Sequence, residues 1–140
     1  MAMLAKDVMS RKPEFLPPDA TLQVAANQMR THDYGFIPVG KDDRLIGTVT
    51  DRDMIIRAIA EGKDPNKTTL GDIMSENIFY CFETDDLNKV VQQMESLQVR
   101  RLVVLNEDKR LTGIISLGDI ARKSHDEKLC GELTEAISQD

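Results

Sequence analysis

The sequence predicts an α+β fold of two tandem repeats, in which small β-sheets flanked by helices pack by pseudo-twofold symmetry. Three observations predict this fold. The segment Asp7 to Ser10 recurs 65 residues later as Asp72 to Ser75. Helix and strand periodicities then follow in the same order in both copies. One copy of this size buries too little surface to be stable alone, so two copies are expected to cover each other's sheets.

The repeat extends well beyond this segment. Identical residues recur at a shift of 65 along the first helix and strand: Leu22 and Leu87, Gln28 and Gln93, Met29 and Met94, Val39 and Val104. After a one-residue insertion in a turn the shift becomes 66, and it pairs Leu45 with Leu111, Gly47 with Gly113 and Asp53 with Asp119. Matches that continue through a single slip indicate an internal duplication.

Each copy is predicted to contain a helix, two strands and a second helix. Thr21 and Asp86 precede the first helices, whose apolar residues recur at three- and four-residue intervals. Two short apolar runs around a polar turn predict the strands. One face of the second helix in the first copy is expected to carry Met54, Ile55, Ala58 and Ile59. The predicted domains are residues 1–62 for repeat one, 63–67 for a linker, 68–129 for repeat two and 130–140 for a C-terminal helical tail.

Composition argues against several classes of protein. A net charge of −6 and a pI near 4.9 disfavour binding of nucleic acid, which needs a concentrated basic surface. No apolar run approaches the ~20 residues of a membrane helix and no signal peptide is recognisable, so we expect no membrane partner and a cytoplasmic location. No metal is predicted, because the metal-ligating residue types are isolated: Cys81, Cys130, His32 and His125.

The sharpest motif lies where the last strand of each copy meets the second helix. Gly47 to Asp53 and Gly113 to Asp119 both read glycine, two β-branched residues, a hydroxyl residue, two variable positions and aspartate. A hydroxyl at a strand end and a carboxylate on the next helical turn suit a ribose and its phosphate. The same pattern is also typical of a plain helix N-cap. From the residues alone, the two interpretations are about equally favoured.

At these residues the chain resembles the CBS-domain pair, or Bateman module. The resemblance covers nearly all of residues 1–129 and includes the Asp-Val-Met-Ser start, the Pro-Pro-Asp-Ala-Thr-Leu approach, the Phe-Ile-Pro-Val strand and the Gly-Thr-Val-Thr-Asp-Arg-Asp turn. It implies clefts on either side of a pseudo-twofold axis that bind AMP, ADP, ATP or S-adenosylmethionine. It also implies disc-shaped homodimers and no enzyme activity.

The resemblance assigns ligand roles by position. Thr50 and Ser116 would bond ribose or phosphate, and Asp53 and Asp119 would grip the ribose diol. The adenine would be lined by the segments that contain Pro13, Phe15, Ile78 and Tyr80. Arg100 and Arg101 resemble a basic pair that contacts phosphate in the family; the alternative is a solvated basic edge. The first copy has Gly35 and Phe36 at these two positions, so the two clefts are expected to differ in phosphate affinity.

The resemblance therefore predicts a regulatory module that senses an adenosine-type nucleotide and modulates a separate, unknown effector protein. The nucleotide is expected as a regulatory ligand, and no cofactor is expected to be required. The alternative is a dimerisation scaffold whose ligand clefts are vestigial. An enzyme is disfavoured because no nucleophile with a paired base is recognisable and the two motif aspartates lack a partner acid.

Overall fold

The computed structural model describes residues 3–11, 13–42 and 44–123, which divide into two compact units. The first unit is Glu14–Ile78, and the second combines the described parts of Met1–Pro13 and Phe79–Asp140. The C-terminal tail predicted over 130–140, and the end of the second repeat beyond residue 123, lie outside the described residues. Mixed helices and small sheets confirm the α+β prediction.

The first unit is built on a two-stranded antiparallel sheet. Helix α2 (Leu22–His32) begins after Thr21, whose side chain accepts a hydrogen bond from Val24 N as predicted. Strands β2 (Phe36–Lys41) and β3 (Arg44–Thr50) follow. The chain then forms α3 (Asp51–Met54), a π-helical turn (Ile55–Ile59) and the short helix α4 (Leu70–Ile73).

The second unit repeats this plan with α1 (Ala5–Val8), β1 (Ser10–Arg11), β4 (Tyr80–Phe82), α5 (Leu87–Leu97), β5 (Arg101–Leu105), β6 (Leu111–Ser116) and α6 (Leu117–Lys123). Its strands form one four-stranded sheet of order β1-β6-β5-β4. Asp86 caps α5 by accepting a hydrogen bond from Asn88 N. Strands β5 and β6 are antiparallel, whereas β4 runs parallel to β5 at the sheet edge.

The short segment that opens each repeat packs in the unit that holds the other repeat's strands. Strand β1 pairs with β6, with Ser10 opposite Ile114. In the first unit Ser75 forms an antiparallel bridge with Thr48 of β3. Glycines make both approaches possible: a Cβ on Gly113 would lie 2.8 Å from Ser10 O. Each compact unit is therefore completed by residues from both repeats.

Each unit has its own apolar core. In the first unit α2, β2 and β3 enclose the core with α4, and its fully buried side chains include Leu22, Ile37, Val49 and Leu70. In the second unit α5 and α6 cover the sheet, and the buried side chains include Val90, Met94, Leu102, Ile115 and Ile120. Apart from Leu70, these are apolar positions of the predicted helices and strands.

The second helix of the first repeat differs from the prediction. After Met54 the backbone widens into the π-helical turn, in which Ala60 N donates to Ile55 O at 2.8 Å. Of the four apolar residues predicted for one face, Ala58 is buried and Met54 half-buried, whereas Ile55 and Ile59 are exposed.

Candidate functional site

The predicted ribose residues of the first unit form a reciprocal capping box. Thr50 ends β3 and is the N-cap of α3. Its backbone N–H donates to Asp53 Oδ2 at 3.0 Å, and Asp53 N donates to Thr50 Oγ1 at 3.1 Å. Both residues thus have the helix-capping role that was one of the two interpretations of the motif.

Ser116 and Asp119 form the same box in the second unit. Ser116 N donates to Asp119 Oδ2 at 3.1 Å, and Asp119 N donates to Ser116 Oγ at 3.0 Å. Near-identical geometry in two repeats means that strand end and helix start are fixed relative to each other by the side chains themselves. A hydroxyl and a carboxylate are therefore held on one turn in both units.

Capping does not use the full hydrogen-bonding capacity of these side chains. A hydroxyl that accepts one hydrogen bond still has its own hydrogen to donate, and a carboxylate has a second oxygen. Oδ1 of each aspartate is the oxygen outside the box. The arrangement can therefore cap a helix and bind a polar ligand at the same time.

Arginine side chains lie beside this second oxygen in both units. Arg57 Nε lies 3.8 Å from Asp53 Oδ1. Arg122 Nη2 donates to Asp119 Oδ1 at 2.8 Å. Sequence reasoning missed both arginines, although their spacing of four and three residues after the aspartate places them on the same helix face.

The predicted phosphate-binding arginines lie next to the Ser116 box. Arg101 is paired with Ser116 in the β5–β6 register, and Arg100 O accepts a hydrogen bond from Leu117 N at 3.0 Å. Both arginine residues are exposed. The second unit thus places the backbone of both arginines next to the turn that carries Ser116 and Asp119.

The first unit has a different environment at the corresponding place. Phe36 is paired with Thr50, and Gly35 O accepts a hydrogen bond from Asp51 N at 3.0 Å. A Cβ on Gly35 would lie 2.5 Å from Asp51 Oδ2. The first unit therefore places a carboxylate against Gly35, at the position where the second repeat has Arg100.

The residues predicted to line adenine divide between the units. Phe15 and Ile78 belong to the first unit with Thr50 and Asp53, whereas Pro13 and Tyr80 belong to the second with Ser116 and Asp119. Phe15 and Tyr80 are exposed, and Tyr80 starts the edge strand β4.

Two glutamines that the sequence analysis used only as repeat markers hold these segments. Gln93 Nε2 donates to Tyr80 O at 2.7 Å, and Gln28 Nε2 donates to Glu14 O at 3.3 Å. Each side chain links the first long helix of its repeat to the segment that carries the exposed aromatic residue. The matched positions, Gln28 and Gln93, could have suggested such a shared role.

Two further observations concern metal binding and membrane-spanning helices. Among residues 3–11, 13–42 and 44–123, no group of three or more His, Cys, Asp or Glu side chains could hold a metal ion. Within those same ranges, no helix is long and apolar enough to cross a membrane.

This chain is similar to known proteins in both sequence and fold. The CBS domain family matches residues 5–59 and again 70–126. Hypoxic response protein 1 of Mycobacterium tuberculosis is 41% identical over 119 residues, which cover 84% of this chain and 82% of that protein.

Two solved structures extend the comparison. The crystal structure of Hypoxic Response Protein I with two coordinated zinc ions has a TM-score of 0.74 and 40% identity, covering 86% of this chain and 98% of that one. The CBS domain pair of protein MJ0100, in complex with 5-methylthioadenosine and S-adenosyl-L-methionine, has a TM-score of 0.77 and 26% identity. The match covers 87% of this chain and 95% of that chain. Because the CBS domain family matches the chain twice, over most of its length, the chain belongs to that family, as a protein with a tandem pair of CBS domains.

Proposed function

We propose that this protein is a regulatory module that binds adenosine-type nucleotides. Thr50 and Ser116 donate hydroxyl hydrogen bonds to ribose or phosphate, and Asp53 and Asp119 accept hydrogen bonds from the ribose diol through Oδ1. One observation carries the proposal: both repeats hold a hydroxyl and a carboxylate on one rigid turn, with an oxygen of the carboxylate outside the capping box.

The environment of the two turns favours such a ligand. Arg100 and Arg101 are exposed beside Ser116, and guanidinium groups bind phosphate with paired hydrogen bonds. Phe15 and Tyr80 offer exposed aromatic surface for a base. The adenosyl compounds bound by the CBS domain pair of MJ0100, a chain of 26% identity, support the same ligand class.

Binding rather than catalysis is proposed for these turns. A hydroxyl nucleophile needs a general base to accept its proton. Thr50 and Ser116 cap helices, and the carboxylate oxygen that lies outside each box is the one proposed to bind the ribose. Ligand occupancy would then act by changing contacts with a separate effector protein, to the extent that the ligand prefers one arrangement over another.

A dimerisation scaffold is the second candidate, and the π-helical turn favours it. Ile55, Ile56 and Ile59 are 59%, 47% and 54% exposed. A cluster of exposed apolar side chains is typical of a protein–protein interaction surface. We propose that this surface forms a homodimer, which is compatible with ligand binding at the capping boxes.

Calorimetry with adenosine, AMP and S-adenosylmethionine tests the proposed function. We expect the parent protein to bind at least one of them and the double variant Asp53→Asn, Asp119→Asn to bind none measurably. Asparagine keeps an oxygen for the capping hydrogen bond, so the helix starts are preserved. Absence of binding by the parent, with a dimer seen by sedimentation, would instead support the scaffold.

A further inference from the structure

The carboxylates of Asp53 and Asp119, which are proposed to bind ribose, make different contacts with neighbouring arginines. Asp119 Oδ1 accepts a hydrogen bond from Arg122 Nη2 at 2.8 Å, and only 10% of the Asp119 side chain is exposed. Asp53 Oδ1 lies 3.8 Å from Arg57 Nε, and 20% of its side chain is exposed. The oxygen proposed to bind a ribose is therefore hydrogen-bonded in the second unit and more accessible in the first.

Local sequence explains this difference. At the repeat shift of 66, Arg122 corresponds to Ile56 and Gly118 corresponds to Arg52. A Cβ on Gly118 would lie 3.0 Å from Arg122 Nη1 and 3.6 Å from Ser116 Oγ. The missing side chain at Gly118 thus leaves room for the guanidinium beside the capping box.

Arg57 does not perform the same role in the first unit. Its Nη1 donates to Ile73 O at 2.9 Å. Lys123, the residue that corresponds to Arg57, donates in the same way to Val8 O at 2.9 Å. Positions 57 and 123 therefore share the task of tying the second helix to the short opening helix, and Arg122 is an addition specific to the second repeat.

From these contacts we infer that Arg122 is a specificity-determining residue that competes with ribose for Oδ1 of Asp119. The inference rests on the proposed function. Ribose binding at Asp53 displaces no short hydrogen bond, whereas binding at Asp119 must displace or share the Arg122 contact. The Arg122 contact therefore lowers the adenosine affinity of the second site.

The size of the effect follows from the exposure of the pair. The Arg122 side chain is 68% exposed, so water and salt screen its interaction with Asp119. Such pairs stabilise weakly, and releasing the carboxylate is expected to raise adenosine affinity by about 2- to 5-fold. Calorimetric and NMR titrations resolve a change of this size.

The test isolates the second site and replaces Arg122. In an Asp53→Asn background, which leaves only the second site, Arg122→Ile should bind adenosine about 2- to 5-fold more tightly. This change places at the second site the residue that the first repeat carries at the corresponding position, Ile56.

A matched control separates the contact from net charge. Lys109→Gln, at an exposed position in the turn between β5 and β6, removes one positive charge, as Arg122→Ile does, but leaves the bond between Arg122 and Asp119 in place. This control should leave adenosine affinity within about 1.5-fold of its background.

The outcomes distinguish the inference from the function beneath it. Adenosine binding by the single-site background with no gain from Arg122→Ile, or with an equal gain from Lys109→Gln, overturns the role of Arg122 and leaves the proposed function standing. Absence of adenosine, AMP and S-adenosylmethionine binding by the parent overturns both. A gain from Arg122→Ile without a gain from Lys109→Gln supports the inference.

Discussion

At the scale of single residues, the candidate site is made of side chains with two tasks. Thr50 and Asp53, like Ser116 and Asp119, satisfy backbone groups at a helix start while keeping a hydroxyl hydrogen and one carboxylate oxygen outside the box. A structural role and a ligand role therefore do not exclude each other. Variants must preserve the cap if they are to report on ligand binding alone.

The arginine pair gives the first prediction. Replacing Arg100 and Arg101 together with glutamine should weaken AMP binding at least 10-fold and adenosine binding less than 2-fold, because charge-assisted hydrogen bonds to phosphate are worth about 1.5–3 kcal/mol each. Calorimetry with the two compounds measures the difference. Lys63→Gln with Lys67→Gln serves as the charge-matched control. Equal losses for AMP and adenosine would assign the arginines to a solvated edge.

Cys81 gives a prediction about pH. Burial, followed by the charge of Asp85, raises the pKa of its thiol to about 12, against an opposing effect of Lys89. Between pH 9 and pH 12 the Cys81 thiol of the folded protein therefore keeps its proton, whereas the thiol of the unfolded chain, with a pKa near 9.0, loses it. The contribution to stability is fully present below pH 9 and is lost as pH rises towards 12.

Thiol modification measures this protection. In a Cys130→Ser background at pH 8, we expect a disulfide reagent to react with Cys81 at least 10-fold more slowly in the folded protein than in urea. Cys130 is replaced so that Cys81 is the one thiol in the protein. Equal rates in the two states would contradict the raised pKa.

At the scale of elements, the short opening segments are the main departure from a simple picture of two separate repeats. Strand β1 pairs with β6, and Ser75 pairs with Thr48, so each opening segment completes the unit that holds the other repeat's strands. The hydrogen bonds of Lys123 to Val8 O and of Arg57 to Ile73 O add a side-chain link at the same junctions. These segments thus connect the second helix, which carries the candidate ribose aspartate, to the start of the opposite repeat.

This close approach gives a stability prediction. Gly113→Ala would place a Cβ 2.5 Å from Met9 Sδ and 2.8 Å from Ser10 O. The methionine can move but the backbone oxygen cannot do so without disturbing β1, so we expect a loss of about 1–3 kcal/mol in the free energy of unfolding. Urea denaturation measures it. Gly71→Ala in α4, where the nearest atom would be 3.2 Å away, is the control and should cost less.

At the scale of the whole molecule, the exposed isoleucines of the π-helical turn bear on assembly. Ile55, Ile56 and Ile59 form a cluster of exposed apolar side chains, which is typical of a protein–protein interaction surface. A second copy of the chain is the simplest one, because a self-complementary patch closes into a dimer.

Sedimentation tests this assembly. At tens of micromolar, the concentration range of weak association, the parent should sediment as a dimer and Ile55→Asp with Ile59→Asp as a folded monomer. Val24→Asp, which removes an exposed apolar residue from α2, should remain dimeric. A parent that is monomeric at this concentration, or a Val24 variant that dissociates equally, would contradict the isoleucine interface.

The sequence by itself determined the features that depend on local chemistry. Spacing of apolar residues located α2 and α5, side-chain caps located their starts at Thr21 and Asp86, and the internal match located the two Gly-to-Asp motifs. These features depend on residues within a few positions of each other, where backbone geometry fixes which side chains meet. The alternative of a helix cap was also predictable, because a hydroxyl residue three positions before an aspartate suits a capping box.

Tertiary structure decided what depends on residues far apart in the chain. The hydrophobic periodicity of the sequence does not predict that Ser10 pairs with Ile114 or that Lys123 donates to Val8 O. The latter two residues are 115 positions apart in the chain. The π-helical turn at Ile55–Ile59 was equally hidden, because the same apolar residues suit a regular helix. Strand pairing and side-chain packing select among locally equivalent backbones, and that selection is made only when the distant partners are in place.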